Sequence, residues 1–222
     1  MTLKWVCHYE RYSTLSTEFG ISPTLVSLVI HEMLPYIAFT MNKHIPHRQM
    51  TTQTSVLSKN LVYIIDGTIH PIAKPKANQH LFYRADKQCH FIQSMLLVDF
   101  EGWIIAFSTN YQGHNSDSAC ARQNSVFTAI IGKQYALGDP GFGNVSYVIP
   151  GLRCNQLHSQ NHESFDIISR QEQKRIEWVN NFFKRVKTVA KSTVFMHGRA
   201  AHVYCILIAC GLYNWKKQLG QY

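Results

Sequence analysis

At 222 residues, 45% hydrophobic and 16% charged, the chain is long and apolar enough to bury a core unaided, which excludes the disordered and disulfide-scaffold classes. Lys and Arg number 22 against 13 Asp and Glu, a formal charge of +9. That balance favours a polyanionic partner, nucleic acid before an acidic membrane surface, with a merely solvated basic surface as the alternative.

Cys7, Cys89, Cys120, Cys154, Cys205 and Cys210 show no metal-ligand spacing and read as reduced thiols of an intracellular protein. Met1 to Tyr12 carries Lys4, His8, Glu10 and Arg11 and has no apolar stretch of the secretory kind. The longest greasy run, Val203 to Tyr213, falls short of the roughly 18 residues of a spanning helix, so no membrane is expected.

In chain order, Leu15 to Ile37 reads as a short helix, a break at Gly20 and a second helix capped by Ser22 with Pro23 in its first turn. Leu25, Leu28, Val29 and Met33 recur there at helical spacing. The pair resembles a helix-turn-helix, a plain packing hairpin being the alternative, so residues 1–50 form a helical segment and Asn42 to Thr54 a linker. The second unit spans residues 55–222. It opens with an apolar strand, Leu61 to Ile65, ending at Asp66-Gly67-Thr68. Two further runs, Phe91 to Val98 and Trp103 to Ser108, flank the hairpin turn Asp99-Phe100-Glu101-Gly102. A helix from Ser118 to Ile131, a short strand from Gln134 to Gly138 closed by Asp139, a loop rich in Gly and Asn, and helices over Ser169 to Val189 and Arg199 to Lys217 follow. This order predicts an α/β fold, a ribonuclease H-like mixed sheet flanked by helices behind an N-terminal helix-turn-helix-like segment.

Three acids stand out. Asp66 and Asp139 close strands and are followed by Gly67 and by Pro140-Gly141-Phe142-Gly143, which permit close approach. On the long helix, Ile176, Val179, Phe183 and Val186 form the apolar stripe, and Glu177 sits at its margin among basic and amide groups. Carboxylates that converge from distant parts of a chain suit hard divalent cations. Taken singly, Glu177 also reads as an exposed helix charge.

Together with their neighbours these residues resemble the DDE endonucleases of the PIF/Harbinger transposase group. The resemblance covers about Leu61 to Lys187. Its words are Asp66-Gly67-Thr68 with Ile69 and Pro71, Val98-Asp99-Phe100-Glu101-Gly102, Gly113-His114-Asn115-Ser116-Asp117, Leu137-Gly138-Asp139-Pro140-Gly141-Phe142 and Arg175-Ile176-Glu177. It implies a nuclease or transposase that cuts DNA, and joins strands, through two Mg²⁺ or Mn²⁺ ions held by Asp66, Asp139 and Glu177 as the catalytic and metal-binding set.

Where the group has a His-Asp word, this chain separates His114 from Asp117. Asp117 is expected to cap the following helix, and both are auxiliary candidates for the metal site. His80, Tyr83, Arg84 and Lys87 in the loop Asn78 to Lys87, with Lys174 and Lys184, are the candidate nucleic-acid contacts, an ordinary polar loop being the alternative reading of the former. The resemblance further implies DNA as partner, a separate Myb-like DNA-binding protein, a homo-oligomer and a nuclear location. A domesticated, catalytically silent DNA-binding or scaffold protein is the rival reading.

Overall fold

The computed structural model describes residues 1–48, 53–152, 159–190 and 193–221. Cys154 and the middle of the expected linker, residues 49–52, lie outside the described residues; Cys7, Cys89, Cys120, Cys205 and Cys210 are free thiols.

The sheet grows around two long strands, β1 (Leu61–Pro71) and β3 (Cys89–Asp99), which pair antiparallel from Tyr63–Asp99 to Pro71–Phe91. On β3 lies β4 (Ile104–Gln112), its hairpin partner, while the two-residue β2 (Tyr83–Arg84) pairs with the start of β3. The turn between β3 and β4 is the one expected. Gly102 takes a left-handed φ of 83°, and the Asp99 carboxylate accepts from the Glu101 and Trp103 amides at 3.1 and 2.9 Å. On its other edge β1 pairs in parallel with β5 (Tyr135–Gly138), and β5 with β6 (Val148–Pro150), a strand that arises within the loop expected to be irregular.

Helices cover both faces, which is why β1 and β3 read as nearly continuous apolar runs. One face carries α4 (Asp117–Arg122) and α5 (Ser125–Ile131), whose Cys120, Ala121, Phe127 and Ile131 pack with Val62, Ile65 and Leu97. A single helix was expected there. Asn124 divides it, because its side chain accepts from the Phe127 amide and caps a new helix.

Onto the other face pack α6 (Gln160–Arg185) and α7 (Arg199–Gln218). The stripe of Ile176, Val179, Phe183 and Val186 is buried as its spacing predicts. Asn214 on α7 locks the edge strand, accepting from Ile104 N at 2.9 Å and donating to Ile104 O at 2.7 Å. The mixed sheet with helices on both faces is the ribonuclease H-like architecture.

The N-terminal helices α1 (Thr2–His8), α2 (Tyr12–Phe19) and α3 (Pro23–Asn42) share the core of that second face through Trp5, Val6, Leu15, Val26, Ile30 and Leu34. Gly20, left-handed at φ 66°, ends α2, and Ser22 caps α3 by accepting from Leu25 N at 3.2 Å. The buried face of α3 is not the expected one. It consists of Val26, Ile30, Leu34 and Ala38, while Leu25, Leu28 and Met33 are exposed. The helix is apolar on most sides, so periodicity alone could not choose; the buried face is the one packed on α7, where Gly211 lies close against Met41. A Cβ on Gly211 would stand 2.7 Å from the Met41 carbonyl carbon. By length and composition α3 could also cross a membrane, contrary to the expectation above, yet it packs on α7.

Candidate active site

Strand β1 does not stop at Asp66, as the apolar run suggested. It continues to Pro71 along β3, with Asp66 opposite Leu96. What stops is its parallel neighbour: the last pair between β1 and β5 is Ile64–Leu137, and β5 ends at Gly138. Asp66 and Asp139 therefore each stand two residues past one register pair on adjacent parallel strands, which run about 4.8 Å apart. The opening beyond the carboxyl end of a parallel strand is where α/β sheets place their ligands.

Each aspartate is held by its surroundings. Asp139 Oδ1 accepts from Gly141 N at 2.8 Å, which fixes the turn Pro140–Phe142. Asp66 Oδ1 accepts from Gly67 N and Asp66 Oδ2 from Asn180 Nδ2, both at 2.8 Å. Burial pushes the Asp66 carboxyl up to about 6 despite the Asn180 hydrogen bond, and the charges of Asp117 and Asp139 add to the rise. Asp66, Asp117 and Asp139 thus form one electrostatic group.

Asp117 joins that group because it is not the helix cap. Ser116 is, accepting from Ala119 N at 3.2 Å, and Asp117 is the first residue of α4. A serine one position earlier does the capping and leaves the aspartate to turn toward the sheet, where Gln93 Nε2 donates to its Oδ1. Its carboxylate lies over the Gly67 backbone: a Cβ there would come within 2.9 Å of Asp117 Cγ. This explains the glycine after Asp66.

Glu177 is not brought to the aspartates in the same way. It is exposed, and the α6 side chain that reaches Asp66 is Asn180, one turn further on and rotated by about 60°. The buried stripe sets the rotation of α6 and aims Asn180 at β1. Among the described residues no three His, Cys, Asp or Glu side chains form a ready-made metal-ligand set. The group nonetheless fits a hard cation. Carboxylates crowd together, and two buried amide oxygens beside them, Asn180 Oδ1 and Gln93 Oε1, have no hydrogen-bond partner among the described residues.

The remaining candidates lie outside this group. His114 is exposed and its Nδ1 contacts the Leu81 carbonyl at 2.9 Å, tying down the preceding loop. Arg84 is clamped by Asp86 through two bonds of 2.9 and 2.8 Å, and Lys87 lies 3.8 Å from the same carboxylate. His80, Tyr83, Lys174 and Lys184 are exposed. Sequence reasoning passed over Asn180 and Gln93, whose neutral amides gave no signal of charge. It also passed over Trp178, 60% exposed, which lines a surface cavity with Arg185 and Lys216.

Residues 65–214 match the family of the DDE superfamily endonucleases. The chain belongs to that family. No curated protein and no solved structure matches it. Within a DDE superfamily endonuclease the matched span runs from the residue before Asp66 to Asn214, and it contains the whole aspartate group, α6 and the packing of α7 on the sheet.

Proposed function

We propose that this DDE superfamily endonuclease is a Harbinger-type, transposase-derived nuclease that cleaves DNA phosphodiesters with divalent metal. The observation that carries this reading is the placement of Asp66 and Asp139 side by side, each two residues past the last parallel pair of β1 and β5. Mg²⁺ or Mn²⁺ bound there would activate a water and neutralise charge on the scissile phosphate.

The chain's own part is to hold the carboxylates ready. Gly141 N orients Asp139, Gly67 N and Asn180 orient Asp66, and Gly67 clears space for Asp117. With its carboxyl raised to about 6, Asp66 shifts toward the charged form as a cation approaches. The net charge of +9 suits DNA as the substrate. A Myb-like DNA-binding partner, self-association and a nuclear location complete the proposal by resemblance.

A second reading, a silent DNA-binding scaffold, is favoured by one observation: helix α6 presents a neutral amide to Asp66 while Glu177 points to solvent. Plasmid nicking by the purified protein with Mg²⁺ or Mn²⁺ against EDTA separates the two. Metal-dependent nicks are expected; intact plasmid at millimolar metal would select the scaffold.

A further inference from the structure

We infer that Asn180, and not Glu177, is the residue through which α6 serves the cation site, contributing a neutral oxygen beside Asp66. This rests on the metal-dependent reading above and deepens it.

The geometry is direct. Asn180 Nδ2 donates to Asp66 Oδ2 at 2.8 Å, which places the amide against the central carboxylate. Its Oδ1 is buried and has no hydrogen-bond partner among the described residues. A buried amide oxygen without a donor costs free energy unless something electropositive satisfies it. A hard divalent cation does so, since amide carbonyls belong to the ordinary ligand set of Mg²⁺, Mn²⁺ and Ca²⁺.

Gln93 on β3 repeats the pattern: its Nε2 donates to Asp117, and its buried Oε1 likewise has no hydrogen-bond partner among the described residues. Two amides therefore turn their N–H groups to carboxylates and keep an oxygen in reserve. The rotation of α6 is fixed by Ile176, Val179 and Phe183, all buried, so Glu177 cannot replace Asn180 by a small turn of the helix. A neutral ligand also brings no charge of its own to the cation, so a carboxylate at the same place should strengthen cation affinity.

The test uses the full chain and Mn²⁺ alone, read by the rise in melting temperature with metal and by the loss of the free-ion electron paramagnetic resonance signal. The expected result has three parts. Glu177→Gln binds Mn²⁺ as the wild type does. Asn180→Ala weakens binding about tenfold. Asn180→Asp, nearly isosteric, melts lower without metal because it adds a charge beside Asp66, and it gains about tenfold in Mn²⁺ affinity. Loss of Mn²⁺ binding in Glu177→Gln, with Asn180→Ala unchanged, overturns the assignment and leaves the metal-dependent reading standing. If Asn180→Ala melts lower yet binds Mn²⁺ normally, Asn180 is a packing residue and the assignment falls. Absence of binding in the wild type and in Asn180→Asp overturns the metal-dependent reading and the assignment with it.

Discussion

Asp66 and Asp139 occupy equivalent places on neighbouring parallel strands, each two residues beyond the Ile64–Leu137 pair. Two carboxylates so placed repel, and burial of Asp66 adds to the cost of charging it, so its carboxyl titrates near 6 against about 3.9 in an unfolded chain. Between those values the folded state holds the extra proton, and stability falls as pH rises from about 4 to 6. Asp66→Asn should therefore raise the melting temperature of the metal-free protein at pH 7 to 8, by an amount equivalent to about 1–2 kcal/mol after allowing for partial exposure. Below about pH 4 the two proteins should melt alike. The same variant should lose metal-dependent nicking. A lower melting temperature at pH 7.5 would show that Asp66 is a structural acceptor.

Gly67 has the Asp117 carboxylate lying over its backbone, with Gln93 Nε2 3.1 Å from where a Cβ would stand. Gly67→Ala must push Asp117 off β1 and break its bond to Gln93. A loss of about 1–3 kcal/mol is expected, the usual scale of overpacking, measured by chemical denaturation. Gly20→Ala is the comparison: its Cβ would meet nothing within 4 Å, so only the left-handed backbone resists, and the loss should be smaller.

The strands and the positions of both aspartates were legible because apolar runs that meet an acid beside a glycine, Asp66-Gly67 and Gly138-Asp139, show directly in the sequence. The end of β1 was not, since Asp66 marks the loss of a neighbour strand, which is a property of β5. Asn180 stayed hidden for a related reason. Helical periodicity tells which side of α6 is buried, but among residues at the margin of that side it cannot say which one meets β1, and a neutral amide gives no signal of charge. On α3 apolar residues occupy nearly every side, so the buried face follows from its packing on α7, where Gly211 lets Met41 approach. The capping of α4 shows the same limit on a smaller scale, with Ser116 and Asp117 both suited to the role.

His202 gives the protein an acid-sensitive core. It is fully buried, stacked on Phe195 at 4.4 Å with His70 at 5.3 Å, and burial lowers its pKa to about 3, the nearby His70 adding to the effect. The unfolded chain takes up this proton near pH 6.5, so the stability that depends on a neutral ring is complete above pH 6.5 and is lost as pH falls toward 3. The full loss is on the order of 3–5 kcal/mol. Denaturation midpoints measured from pH 7.5 to 4 should fall more steeply for the wild type than for His202→Phe. Equal slopes would remove His202 from the account of acid sensitivity.

The last prediction concerns which surface holds DNA. A recognition helix needs cationic and polar side chains toward phosphates and base edges. The exposed side of α3 carries instead Leu25, Leu28, Met33, Tyr36 and Phe39, with His31 and Glu32. Its other side is committed to the core, so α2 and α3 have the outline of a helix-turn-helix without its chemistry. Helix α6 differs, because Lys174, Lys184 and Arg185 are exposed along it beside Trp178. Binding of a short duplex should weaken steeply with salt, since each phosphate neutralised releases counterions. Replacing Lys174 and Lys184 together by Gln should lower affinity and reduce the salt slope by about 2. Tyr36→Ser with Phe39→Ser should leave both unchanged. The opposite pattern, with the α3 pair abolishing binding and the lysine pair silent, would restore the N-terminal helices as the reader of DNA.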